Sequence, residues 1–191
     1  ARLRDLGLDQ DYAIPADVAL YDQVLETGVT VGLIGGDAAE VDLTEYFALA
    51  RGTSERSPLE MTKWFDTNYH YLVPEVSADT VITPRPQRIL DIVAEAKEAG
   101  HVVRPFLVGP VTLLAKSKAT EDAGEGFNPL SRLEDLTAAY AQVLAALKEA
   151  GYHPYAMYEN DEQLKATIDL INSGHFSGGD GSVFRPVTDA L

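Results

Sequence analysis

The sequence predicts an α/β protein built from parallel βαβ units, and three observations carry that prediction. Glycine, proline and acidic residues punctuate the 191 residues into alternating segments. Two segments have clear helical spacing, and each stops at a glycine, Gly100 or Gly151. Between them lies an apolar run of strand length that ends at Gly109 and Pro110. Helix, glycine, strand, loop, helix is the rhythm of a parallel βαβ chain.

In order, residues 12–15 (Tyr12, Ala13, Ile14, Pro15) read as a weak strand. Residues 20–31 read as a helix with Leu20, Val24 and Gly28 on one side, and Gly35, Gly36 and Asp37 as a turn. Residues 42–50 form a short helix, with Leu43, Phe47 and Ala50 spaced for one face. Residues 89–99 are a clearer helix, because Ile89, Ile92, Val93 and Ala96 fall at the i, i+3, i+4, i+7 spacing. Residues 102–108 follow as a buried strand, and residues 122–126 as a polar loop. The longest helix covers residues 132–150, with Leu133, Leu136, Tyr140, Val143, Leu144 and Leu147 as its stripe. Ser131 and Glu134 make a capping box for it, and Gly151 a stop.

The rhythm then breaks. A further apolar strand is due after Gly151, but the chain reads Tyr152, His153, Pro154, Tyr155 and then turns polar. Asn160 and Gln163 suit the start of a new helix with Leu164, Ile168 and Ile171 as its stripe. Residues 173–182 are a Gly-rich loop, and residues 184–191 a short last helix. A boundary is therefore expected near Gly151.

Composition narrows the function. The length suits one ordinary domain, and 46% hydrophobic residues allow a buried core. No apolar run approaches the roughly 18–20 residues of a membrane span, and no apolar stretch of a secretory signal follows Ala1. The first residue is not methionine, so a fragment or a processed start is expected. A formal net charge of −15 repels phosphate backbones, so nucleic acid is a poor partner, and a cytoplasmic location is expected. Cysteine is absent, which excludes disulfides and thiolate chemistry.

One stretch stands out as able to carry chemistry. Residues 60–71 read Glu-Met-Thr-Lys-Trp-Phe-Asp-Thr-Asn-Tyr-His-Tyr, with the only Trp set among polar groups. Aromatic walls with a few placed polar groups suit a small-molecule site, although a partly buried aromatic segment satisfying its own polar atoms has the same composition. This string closely resembles the N-terminal barrel of cobalamin-independent methionine synthase. The resemblance covers about residues 7–151 and includes Tyr21 to Leu25, Ala50-Arg51-Gly52 and the run from Arg104 to Thr112.

The resemblance implies a partial (βα)8 (TIM-type) barrel over residues 1–151 with a helical tail over 152–191. It implies a share in moving a methyl group from polyglutamylated 5-methyltetrahydrofolate to homocysteine, in methionine biosynthesis. Lys63 falls on the family lysine that binds the glutamate tail, which is sensible because a chain of carboxylates is matched by a fixed ammonium. Asn68 is implied as a weaker folate contact, while Asp66 and His70 are read as equally compatible with structural roles. The family's zinc rests on cysteine ligands in a second barrel, and His70, His101, His153 and His175 show no ligand spacing. Hence no metal, no cofactor and no catalytic residue is expected here, and methyltetrahydrofolate polyglutamate is expected to bind weakly.

From Gly151 the chain is similar to a segment near the C-terminus of α-glucan (glycogen) phosphorylases. Tyr158-Glu159, residues 168–174, residues 175–180 and residues 184–187 carry that likeness. It brings over no catalytic residue, and Lys165 reads as a solvated charge. A hybrid of the two is the simplest account. Its rival readings are a phosphorylase-related fragment and a chimeric or designed protein without activity. Unpaired strand edges in a partial barrel also predict self-association.

Overall fold

The structure is a computed structural model that describes residues 12–13, 19–103 and 105–152. The expectations for residues 14–15 and for the tail beyond Tyr152 lie outside the described residues. In chain order the elements are β1 (Tyr12–Ala13), α1 (Gln23–Thr30), α2 (Leu43–Arg51), β2 (Met61–Lys63), β3 (His70–Leu72) and β4 (Glu75–Val76). They continue with α3 (Pro86–Glu98), β5 (Val102–Val103), α4 (Pro110–Ala115), β6 (Lys118–Ala119), a 3-10 turn (Pro129–Arg132) and α5 (Leu133–Glu149). The mixed α/β class expected from the sequence holds. β1 pairs in parallel with β5, β4 pairs in parallel with β6, and β2 and β3 form an antiparallel hairpin.

Helix α1 starts at Asp22, whose carboxylate accepts the N–H groups of Val24 at 2.7 Å and Leu25 at 2.9 Å. The helix is buried on every side because it separates two apolar clusters. Val24 belongs to a larger cluster with Tyr71, Val93, Leu113 and Val143. Leu25 and Val29 belong to a smaller one with Tyr46, Leu49 and Leu72. Leu20, expected on the apolar side of this helix, lies before its start and is exposed.

Helix α2 is capped by Asp42, which accepts the Glu45 N–H at 2.8 Å. Its buried face is Tyr46, Leu49 and Ala50, not the expected Leu43, Phe47 and Ala50. Leu43 is 58% exposed. The helix presents the i, i+3, i+4 set headed by Tyr46 to the smaller cluster, Phe47 packs at its margin, and Leu43 is left outside.

Helix α3 begins three residues earlier than its stripe predicts, with Pro86 in the first turn, where a missing N–H costs nothing. Its end is as expected. Gly100 has φ +79, its N–H reaches Lys97 O at 2.9 Å, and His101 N–H reaches Ala96 O at 3.0 Å. Helix α5 stops in the same way at Gly151, with Tyr152 N–H on Leu147 O at 2.8 Å. Its start differs from expectation. Ser131 sits in the 3-10 turn, Arg132 caps the helix without a side-chain bond, and Asn128 Oδ1 takes the Leu130 N–H at 3.0 Å instead.

The strand expected over residues 102–108 is regular only at Val102–Val103. Pro105 has no N–H to give a ladder. Beyond it, Val108 N–H goes to Thr27 Oγ1 at 3.1 Å, and the Tyr140 hydroxyl donates to Val108 O. Side chains therefore satisfy the backbone that a neighbouring strand would otherwise pair.

The loop after α1 is organised by Arg85. Its Nε donates to Ala38 O at 3.0 Å, its Nη1 to Val29 O and Ile34 O at 3.2 and 3.0 Å, and its Nη2 to Gly35 O and Gly36 O at 3.1 and 2.9 Å. Burial pushes the guanidinium pKa down, but its ordinary value is so high that the charge remains. At Gly32, φ is +83 and a Cβ would stand 2.0 Å from the Thr83 carbonyl oxygen, so only glycine allows the two segments to meet. Arg85→Met should destabilise the chain by about 3 kcal/mol, because the carbonyls of Val29 and Ile34 lose their buried donor. Urea denaturation with an unchanged m-value is the measurement.

Candidate functional site

The string at residues 60–71 folds into the β2–β3 hairpin and its tip. Two bonds root the hairpin in the body: Leu59 N–H donates to Leu49 O at 3.0 Å and Leu72 N–H to Asp22 Oδ2 at 3.1 Å, while Val73 N–H to Glu60 O at 2.8 Å extends the hairpin's own ladder. Asp22 thus caps α1 with one oxygen and holds β3 with the other. Burial is the largest influence on this carboxyl and raises its pKa, against the lowering effect of the three N–H donors.

Register sorts the hairpin's side chains. Thr62 lies opposite Tyr71, and Lys63 opposite His70, so the two pairs occupy opposite faces. Trp64 follows the Thr62–Tyr71 face. Its ring meets Tyr71 edge-on, with centroids 5.5 Å apart, and Phe65 edge-on at 5.1 Å. The Tyr71 hydroxyl donates to Lys116 O at 3.0 Å. This face is anchored at Lys116, and the opposite face is anchored by buried Leu72. Lys63 and His70 are exposed on that opposite face.

The tip closes through short-range bonds. Trp64 N–H reaches Tyr69 O at 2.7 Å, and Trp64 O accepts the Thr67 hydroxyl at 2.6 Å. Gln23 N–H donates to the Tyr69 hydroxyl at 3.3 Å, which ties the tip to the head of α1. Phe65 has φ +52, the one non-glycine residue among those described in the left-handed region.

The structure brings both sequence-predicted binding residues, Lys63 and Asn68, to this one hairpin end. Lys63 closes β2, and its ammonium has no ion pair among the described residues. Asn68 is exposed in the tip, and its backbone carbonyl lies 3.0 Å from His70 Nδ1. Asp66 is also exposed there.

Sequence reasoning missed two lysines that fold against the hairpin. Lys116 Nζ sits 3.5 Å from the Phe65 ring centroid and 6.0 Å from that of Trp64. Lys118 Nζ bridges Glu60 at 2.8 Å and Glu75 at 3.2 Å. The hydrogen bond to Glu60, then that to Glu75, raises its pKa. About fifty positions separate these lysines from the string, and no local pattern marks them.

Chemically, the hairpin displays an ammonium with three donors on a firmly rooted strand end, which fits an anionic ligand. Zinc, which the sequence resemblance implies for the wider family, does not fit these residues. Its implied donor set rests on cysteine, and the sequence has none. Among the described residues no three His, Asp or Glu side chains gather as ligands. No described helix is long and apolar enough to cross a membrane.

Fold and hairpin together define a mixed α/β domain whose hairpin displays Lys63 on one face and the Trp64–Tyr71 pair on the other. Residues 2–160 match the family described as cobalamin-independent synthase, N-terminal domain, and the chain belongs to that family. Among curated relatives, the chain is 49% identical over 156 residues to the 5-methyltetrahydropteroyltriglutamate–homocysteine methyltransferase of Streptomyces coelicolor, covering 78% of this chain and 20% of the relative. The Mycobacterium tuberculosis protein of the same name is 44% identical over 148 residues, covering 76% of this chain and 19% of that protein. That of Actinobacillus pleuropneumoniae is 42% identical over 153 residues, 78% of this chain and 20% of that protein. The chain therefore spans about a fifth of the length of these relatives. Beyond Tyr152, the segment likened to α-glucan phosphorylases lies outside the described residues.

Asp22 gives a pH prediction. Its folded pKa is raised, so protonation favours the folded state. Its contribution is fully present below the ordinary carboxylate range and is lost as pH rises through the raised folded value. Relative to Asp22→Asn, which cannot titrate, the parent should gain stability as pH falls across that window. Paired urea curves at stepped pH values measure the difference.

Proposed function

We propose that this chain is the folate-tail-binding portion of a methyltransferase of the kind its relatives' name describes, which moves a methyl group from 5-methyltetrahydropteroyltriglutamate to homocysteine. In this reading Lys63 holds carboxylates of the glutamate tail, Asn68 assists, and the chain by itself does not complete methyl transfer. The observation that carries the reading is Lys63 itself. It lies in the family-matched span, at the end of a rooted strand, exposed and without a carboxylate partner among the described residues.

The reading extends to architecture. The parallel pairs β1–β5 and β4–β6, each with helices intervening in sequence, are what an open part of a (βα)8 barrel would contain. Residues 1–151 form that part and residues 152–191 a separate tail, although the family match overlaps the boundary by running to residue 160. Open strand edges would then favour self-association.

Affinity should be low and salt-sensitive, because an exposed ion pair contributes only about 0–1 kcal/mol and is screened. Calorimetry at low salt should show Lys63→Ala binding methyltetrahydrofolate triglutamate up to about fivefold more weakly than the parent, with the monoglutamate binding more weakly than the triglutamate. Equal binding by parent and variant would refute the assignment.

A further inference from the structure

Lys118 and Lys116 stand two residues apart and behave differently. Lys118 is neutralised by Glu60 and Glu75. Lys116 has no carboxylate partner among the described residues, and its ammonium lies against aromatic rings instead, 3.5 Å from the Phe65 centroid. Its backbone is fixed at both ends. The N–H closes α4 on Thr112 O at 3.0 Å, and the carbonyl takes the Tyr71 hydroxyl at 3.0 Å. The side chain therefore projects from a held backbone onto a turn residue whose conformation is unfavourable for anything but glycine. Phe65 is 59% exposed at φ +52, so burial of its ring does not explain why the turn keeps that shape.

We infer that Lys116 is a positioning residue for the Lys63 site: its ammonium, seated on Phe65 beside Trp64, holds the hairpin tip in the conformation that presents Lys63 and Asn68. This rests on the tail-binding reading of Lys63. Lys116 does not share the Lys63 face. Two of the residues it approaches, Trp64 and Tyr71, lie on one side of the hairpin, whereas Lys63 faces the other way with His70. It acts through the turn, not on the ligand.

The test uses the whole chain with Lys116→Met, which keeps the stem and removes the charge, and Lys116→Arg, whose guanidinium stacks on aromatic faces. Trp64 is the only tryptophan, so its emission reports on the tip directly. Lys116→Met should shift that emission and weaken triglutamate binding about two- to fivefold, the factor an exposed cation–π contact carries. The salt dependence of binding should keep its slope, because the charge that meets the ligand is still Lys63. Lys116→Arg should restore both signals. Unchanged emission in Lys116→Met, a shallower salt slope, or no rescue by arginine would each overturn the role, the second by making Lys116 a direct ligand. A Lys116→Met chain that failed to fold would also overturn it, by making Lys116 a stability residue. If the parent binds no triglutamate, the tail-binding reading fails and the inference falls with it, whereas binding by the parent with unmoved emission in Lys116→Met overturns the inference alone.

Discussion

One carboxylate joins the helical body to the hairpin that carries the site. Asp22 accepts two N–H groups from the first turn of α1 and a third from Leu72 in β3. A two-stranded hairpin alone is at best marginally stable in water. This one persists because Leu72 and Tyr71 are drawn into separate apolar clusters on either side of α1, and Asp22 fixes where that happens. Burying the carboxylate is costly, and the three donors offset only part of that cost. The position of Lys63, nine residues earlier than Leu72 in chain order and opposite His70 in register, follows from that anchoring.

The other buried charges serve backbone or geometry in the same manner. Arg85 meets carbonyls and, among the described residues, no carboxylate, so it works as a five-donor clamp on the loop after α1. Arg88 on α3 pairs with Glu26 on α1 at 2.6 and 3.1 Å while its guanidinium lies 4.5 Å from the Tyr46 ring centroid on α2. Such a pair adds little net stability over well-packed apolar side chains, but losing one member strands the other. Its physical consequence is orientation. Three helices are tied at one point.

The sequence discloses features that act locally and hides those that depend on distant packing. Helices α3 and α5 are legible because their stripes are periodic and their stops are Gly100 and Gly151, each needing positive φ. The face of α2 is not, since Leu43 and Tyr46 are both hydrophobic and only the presence of α1 decides which is buried. The shortened β5 is also hidden. Nothing local announces that Thr27 and Tyr140 will satisfy Val108. The capping box at Ser131 fails because Asn128 and Pro129 start a 3-10 turn first. At the site, Lys63 and Asn68 stand within one recognisable string. Lys116 does not, because what makes it relevant is a fold that lays α4 beside the hairpin.

Net charge sharpens what the proposed tail-binding site would have to do. With −15 spread over the chain, a polyanionic ligand meets repulsion at long range. At about 0.1 M salt the screening length is about 10 Å, so most of that repulsion is damped while contacts inside hydrogen-bonding distance keep much of their strength. Recognition of a carboxylate tail on such a surface therefore cannot come from a broad attractive field. It has to come from a close contact whose geometry is already set before the ligand arrives, since any ordering left to do at that moment subtracts from a small gain. A lysine at a rooted strand end, backed by a turn held in an unfavourable conformation, meets that requirement. A lysine on a free loop with the same charge would not.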